Sequence, residues 1–295
     1  MMNINEVLER AKLFLYRNGR LLDRRRFEYF FEGGSKEAVI EALRSYQNPD
    51  GGFGNALEPD IRCPYSQPIP TEVALHIMDE LDYFPPDLLE GIINYVKQTT
   101  LSEGGLPLIF RNAGEYPSTP WWKVERDDLP SMNPTGTIIG LLYKQKTRTD
   151  FFREDWFKKS VHFLWHYMET EKPKGYHDGI HWITFLQHTP ETARAEKYLK
   201  KVDEWLQLPE TIELDPEAEG YVHKVLDWVP QKGDYPGKFI SDTDVNVHLQ
   251  ALIRQQAEDG GWPISWQAVG PGAEAEWRGY LTVERLKTLR SYGII

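Results

Sequence analysis

The chain has a single cysteine, Cys63, among 295 residues. That count excludes an internal disulfide and a cysteine-rich zinc site, and it leaves Cys63 to be read as a small buried residue. Long apolar runs are missing as well. No stretch of about 18 apolar residues occurs, and the start, Met1-Met2-Asn3-Ile4-Asn5-Glu6, has no basic segment leading into an apolar one. The expectation is therefore a soluble, cytoplasmic protein with no integral membrane segment. Gly-rich phosphate cradles are absent, with neither G-x-G-x-x-G after a strand nor G-x-x-x-x-G-K-[ST] present, and so is the G-x-S-x-G of a serine nucleophile. No cofactor is expected. Positive charge is scarce: 34 Lys and Arg stand against 45 Asp and Glu, a formal net charge of −11. Such a field repels polyanions, so neither nucleic acid nor an acidic polysaccharide is an expected partner. Finally, no segment alternates apolar and polar residues between hairpin turns, so any sheet should be small and peripheral.

What the chain does have is helical periodicity. Val7, Leu8, Ala11, Phe14 and Leu15 fall at i, i+3, i+4 and i+7 positions within 5–18. The same reading places helices near 20–31, 36–47, 70–82, 86–98, 134–146, 151–170, 178–188, 191–206, 242–257 and 276–291. Start signals such as Ser35 with Glu37, Pro70-Thr71-Glu72 and Thr189-Pro190-Glu191 support several of them. The expected class is all-α, with roughly eleven helices.

The helices repeat. One ending in Tyr46-Gln47 runs into Asn48-Pro49-Asp50-Gly51-Gly52-Phe53, and one ending in Gln255-Gln256 runs into Glu258-Asp259-Gly260-Gly261-Trp262. A weaker copy is Ser102-Glu103-Gly104-Gly105-Leu106. The first glycines, Gly51, Gly104 and Gly260, are separated by one and by three units of about 52 residues. A unit of that length holds two helices and their turns. Helical hairpins of this kind must stack to bury their apolar faces.

At these residues the chain resembles the superfamily of terpenoid and squalene cyclases and protein prenyltransferase β subunits, whose α/α toroids carry a recurrent Gln…Asp-Gly-Gly-Trp/Phe motif. The resemblance implies a single α/α toroid of about five to six helical hairpins over 1–295, with the motifs acting as staples between helices. It also implies a role for Ser241-Asp242-Thr243-Asp244-Val245-Asn246, which is similar to the Asp-x-Asp-Asp motif of class II terpene cyclases. On that comparison Asp244 matches the proton donor and Asp242 its support, with Val245 in place of the last acid. Their alternative role is to cap the helix that begins there and to complement its dipole. Class II cyclases usually have two toroids, so a cyclase reading needs either a homodimer or a pocket inside the single toroid.

The second candidate region is the polar, proline-studded segment 54–68, where Glu58 and Asp60 supply paired carboxylates for acid–base catalysis and Arg62 an anion clamp. The same residues could equally hold the loop together. Trp121, Trp122, Trp182, Trp228 and Trp266, together with Trp262 and Trp277, are candidates to line a substrate cavity, by cation–π attraction or by stacking on sugars, or else to fill gaps between helices. His162/His166 and His177/His181 are spaced i, i+4, but without the Glu of a His-Glu-x-x-His site, so no metal is expected. The first reading is a cyclase-like enzyme acting on a small apolar molecule, such as a polyprenyl chain, with Asp244 as the acid, and the second is a glycan-active hydrolase or lyase that uses Glu58 or Asp60 with Asp244 on an oligosaccharide. A non-catalytic toroid that binds a peptide, lipid or partner protein is the third reading.

Overall fold

In the computed structural model, residues 4–295 are described. They form twelve α-helices: α1 (Ile4–Asn18), α2 (Leu21–Phe31), α3 (Lys36–Arg44), α4 (Pro68–Glu80), α5 (Pro86–Thr99), α6 (Met132–Lys144), α7 (Asp155–Thr170), α8 (Tyr176–His188), α9 (Thr192–Leu206), α10 (Val225–Trp228), α11 (Asp242–Arg254) and α12 (Pro271–Ser291). The protein is all-α. Its one sheet pairs β1 (Leu106–Pro107) with β2 (Pro130–Ser131), antiparallel, in the register Leu106↔Ser131 and Pro107↔Pro130. Eleven of the helices fall where the periodicity puts them. The four-residue α10 is too short to carry a period.

The chain divides into two compact units, residues 43–205 and residues 1–42 with 206–295. In the first, α6 packs on α8 and on α4. The apolar side chains of these helices, among them Leu75, Met78, Ile138, Leu142, Trp182 and Phe185, are buried. In the second, α12 packs on α1 and α2, and α10 on α11. Its buried residues include Phe14, Phe27, Leu249 and Leu286. No described helix is long and apolar enough to cross a membrane.

The acid-Gly-Gly turns share one construction. Gly51, Gly104 and Gly260 take φ of +89°, +92° and +95°, the left-handed region that glycine enters without a Cβ penalty. Each also lies against a backbone carbonyl, of Gly91 in α5, Lys159 in α7 and Arg10 in α1 respectively, and a Cβ would collide with it. The second glycines, Gly52, Gly105 and Gly261, lie flat on the rings of Tyr95, Phe163 and Phe14, one ring from each of those helices.

The amide after each pair then donates to a threonine hydroxyl: Phe53 to Thr71 (3.0 Å), Leu106 to Thr135 (2.9 Å) and Trp262 to Thr282 (3.3 Å). Gln47 Nε2 donates to the carbonyls of Gly51 and Leu88, and Gln256 Nε2 to those of Gly260 and Val7. The weak copy at 104 thus shares the left-handed glycine, the docked helix and the threonine acceptor, but not the glutamine bonds. These residues bind helix to helix by satisfying buried backbone groups.

Candidate active site

Gly54 opens the loop that follows the first turn. A Cβ there would meet the carbonyls of Pro64 and Tyr65, because the loop folds back on itself. Asn55 and Ala56 then take φ of 54° and 60°, a sparsely populated region for residues with a Cβ. The fold-back is tied by Asn48, whose Nδ2 donates to the Pro64 carbonyl (2.9 Å) and to Ser66 Oγ (3.1 Å), and by Ser66, which donates to Asp50 (2.6 Å). Loops usually run over the surface. Here Leu57, Glu58, Asp60, Ile61 and Cys63 are all buried.

Residues 108–129 cover this loop. The Arg62 amide donates to the Pro117 carbonyl (3.1 Å) and the Thr119 amide to the Asp60 carbonyl (3.3 Å), and Ile61 pairs with Ser118 as an antiparallel bridge. Gln67 Nε2 donates to Asn112 (2.8 Å), and the Phe110 amide donates to Gln67 Oε1 (2.9 Å). Trp122 Nε1 donates to Glu58 Oε1 (3.2 Å). Ile61, Cys63, Ile69, Ile109 and Ala113 form a small apolar cluster between the two segments, with Tyr116 and Trp122 packed against it.

Glu58 is 4% exposed, and its Oε2 makes no hydrogen bond. Burial, reinforced by the negative charge of Asp60, pushes its carboxyl up to about 8. The Trp122 indole and the amides of Asp60 and Ile61 only soften the rise. Glu58 is therefore protonated at neutral pH, and its proton is a hydrogen-bond donor. The buried hydroxyls of Ser118 and Thr119, on the strand-like segment beside Asp60 and Ile61, also lack partners. Three polar groups without partners on two paired segments is unusual, because buried polar groups are nearly always hydrogen-bonded.

Of the sequence candidates, Glu58, Asp60, Arg62 and Trp122 are brought together here. Arg62 is half-buried and donates to the Pro59 carbonyl (3.4 Å). Trp121 lies beside Trp122 with half its surface in solvent. Ser118 and Thr119 escaped the sequence reading, since nothing in a hydroxyl's spacing marks it.

The other candidates lie elsewhere. Asp242 and Asp244 occupy the first turn of α11. Ser241 is its N-cap, with its Oγ accepting from the Asp244 amide (3.1 Å) and donating to Asp244 Oδ2 (2.6 Å). Asp244 is half-exposed and Asp242 exposed. The cap is thus Ser241, and the two aspartates stand in the first turn toward solvent. Asp242 borders an open cleft of about 670 Å³ with Lys232, Asp234, Tyr235, Lys238 and Tyr292, where two lysines balance two acids. Trp182 and Trp228 are buried core residues, Trp182 packing edge-on against Tyr167 and Tyr198. Trp266 stands edge-on to Tyr221 and Trp277. The indole of Trp262 donates to the Leu252 carbonyl (2.8 Å), so it belongs to the staple.

Neither histidine pair joins the Glu58 site. His162 and His166 stack on the exposed face of α7. His181 is buried and bonds Thr137 of α6, 3.4 Å from Glu72 of α4, which is also 3.5 Å from His76. Burial, helped by His76 and His177 and opposed by Glu72, lowers His181 to about 4, so its ring is neutral at pH 7. Burial alone would raise Glu72, but His181, His76 and Thr137 outweigh it and leave the carboxyl lowered. Among the described residues, no three His, Cys, Asp or Glu side chains are arranged to hold a metal.

No protein-family model matches the chain, and no curated protein matches it. It is similar to the crystal structure of a protein from Actinoplanes, with 13% identity and a TM-score of 0.56 over 98% of this chain and 99% of that one. At that identity the likeness shows the fold alone.

Proposed function

We propose that this protein is an enzyme of the α/α-toroid type that cleaves a C–O bond in a neutral, hydroxylated substrate, a glycoside or oligosaccharide, by general acid–base catalysis at Glu58 and Asp60. The carrying observation is the buried Glu58 carboxyl, which burial and the neighbouring Asp60 push toward its protonated form and whose Oε2 has no hydrogen-bond partner. Adjacent carboxyls in which one is kept protonated are the arrangement that supplies an acid and a base at one pH.

In this reading Glu58 gives its proton to the bridging oxygen as the C–O bond breaks. Water adds to the carbon while Asp60 takes up its proton; Asp60 then releases that proton to solvent and Glu58 takes one back, which restores both groups. The hydroxyls of Ser118 and Thr119 are free to bond substrate hydroxyls, and the rings of Tyr65, Tyr116, Trp121 and Trp122 are flat faces on which a sugar can stack. The net charge of −11 favours a neutral substrate over a uronate polymer.

The acid strength argues against protonation of an alkene. A carboxyl that dissociates near 8 is well matched to an oxygen leaving group at neutral pH and is far too weak for a hydrocarbon. The toroid architecture is supported by the equivalent turns, each docked on a further helix, the last of them on α1.

The test is turnover of a panel of neutral aryl glycosides and oligosaccharides, alongside polyprenyl substrates, by wild type, Glu58→Gln and Asp244→Asn. Glycoside hydrolysis that falls above about pH 8, is lost in Glu58→Gln and is kept in Asp244→Asn is the expected result. Polyprenyl turnover that needs Asp244 and not Glu58 would overturn the reading in favour of a cyclase.

A further inference from the structure

Glu58 is enclosed, so a substrate can reach it only if something moves. We propose that residues 108–129 are a lid, footed on the β1–β2 pair, that swings off the 54–67 loop to open the Glu58 site. The purpose of the movement rests on the acid–base reading, but the geometry of the lid stands without it.

Five features carry the inference. The 22 residues leave the body at Pro107 and return at Pro130, and these two are paired with each other, so the ends of the loop are closed together as in an Ω-loop. A connection of this length holding only two short 3₁₀ turns, Arg111–Glu115 and Pro120–Trp122, is uncommon unless it has a task.

The lid's ion pairs are internal. Arg111 pairs with Asp127 and Arg126 with Asp128, so the loop can move with them intact. What fastens it to the 54–67 loop is a short set of groups: the amides of Phe110 and Thr119, the side chain of Asn112, the carbonyl of Pro117, the bridge between Ser118 and Ile61, the indole of Trp122 on Glu58, and the edge-on contact of Tyr116 with Tyr65. The apolar cluster beneath is small. A segment with few buried apolar contacts opens at lower free energy than the body it covers. Finally, the clasp and the catalytic proton share one carboxyl: Trp122 holds Oε1 of Glu58 while Oε2 stays unpartnered.

The chain carries its own reporter. Cys63, the single cysteine, is fully buried in the cluster under the lid, its Sγ accepting from Gln67 Nε2 (3.6 Å). A thiol must be exposed and deprotonated to attack a disulfide reagent, so the rate at which Cys63 reacts with 5,5′-dithiobis(2-nitrobenzoate) counts openings. The experiment compares wild type, Trp122→Phe, which keeps the ring and deletes the clasp, and Asn112→Ala, which loses the bond to Gln67.

The expected result is labelling faster than global unfolding and nearly independent of low urea, with each variant about five- to tenfold faster than wild type and its thermal midpoint lowered by only a few degrees, the effect of losing one hydrogen bond to the closed state. Labelling no faster than global unfolding, with the same urea dependence, would overturn the lid. So would variants that fold normally and label at the wild-type rate. A ¹³C NMR titration of the Glu58 carboxyl separates the two ideas. A sealed Cys63 with Glu58 dissociating near 8 removes the lid and leaves the acid; an opening lid over a Glu58 with ordinary acidity keeps the lid and removes the acid.

Discussion

Replacing Glu58 with glutamine tests the central electrostatic argument without any substrate. Glutamine is close in shape to the protonated carboxyl, and its Oε1 still accepts from Trp122, but it cannot ionise. In the folded chain burial and Asp60 raise Glu58 from its ordinary 4.5 to about 8. Between those values the unfolded chain releases the proton while the folded chain keeps it, so the folded state binds more protons and stability must fall as pH rises. Below 4.5 both states hold the proton, and above about 8 neither does, so the loss is confined to that window. Its slope is about 1.4 kcal/mol per pH unit, which makes about 3 kcal/mol by pH 7.

The Gln variant is free of this loss. It should match wild type near pH 4.5 and become the more stable protein as pH rises, by about 3 kcal/mol at pH 7, with the gap levelling off above pH 8. Urea unfolding of both proteins at pH 5, 6, 7 and 8, followed by tryptophan fluorescence, measures the gap directly. A difference that stays constant across that range would refute the claim that Glu58 is held neutral, and the catalytic proposal would fall with it.

Three further outcomes follow from the same structure. Gly104→Ala forces a Cβ into the Lys159 carbonyl at a φ of +92° and should cost about 3 kcal/mol or more, as read from denaturation midpoints; a cost below about 1 kcal/mol would mean that the weakest repeat is no staple. Thr282→Val keeps the shape but strands the buried Trp262 amide, and a loss of about 1–3 kcal/mol is expected, where a neutral result would show that the amide finds another acceptor. Ser241→Ala should cost about 1 kcal/mol as a lost N-cap, whereas Asp244→Asn should stay within about 1 kcal/mol of wild type and retain activity, so an inactive, stable Asp244→Asn would return the acid role to that residue.

Helices and repeats could be read directly because both are local. Hydrophobic spacing places α1 to α9, α11 and α12, and the acid-Gly-Gly turns announce their left-handed glycines by composition alone. Even the degenerate copy at Gly104 was visible, since the two glycines that the geometry requires are the part it retains. Asp242 and Asp244 could be read two ways from sequence, because a capping or dipole role and a catalytic role both want a carboxylate in the first turn of a helix; the fold adds that the cap itself is Ser241.

The sequence by itself therefore determined the class, all-α, and the staples, because periodicity and φ > 0 depend on neighbours along the chain. It also singled out Glu58, Asp60, Arg62 and Trp122, which the fold brings together. Tertiary structure alone decided which acid keeps its proton, since that depends on desolvation and on the charge of Asp60, and desolvation is supplied by a segment some sixty residues further on. It likewise decided that Ser118 and Thr119 lie on the segment paired with Asp60 and Ile61 and that Trp182 and Trp228 are buried core residues. A side chain's surroundings are made by whatever packs over it, and no spacing within one segment records that.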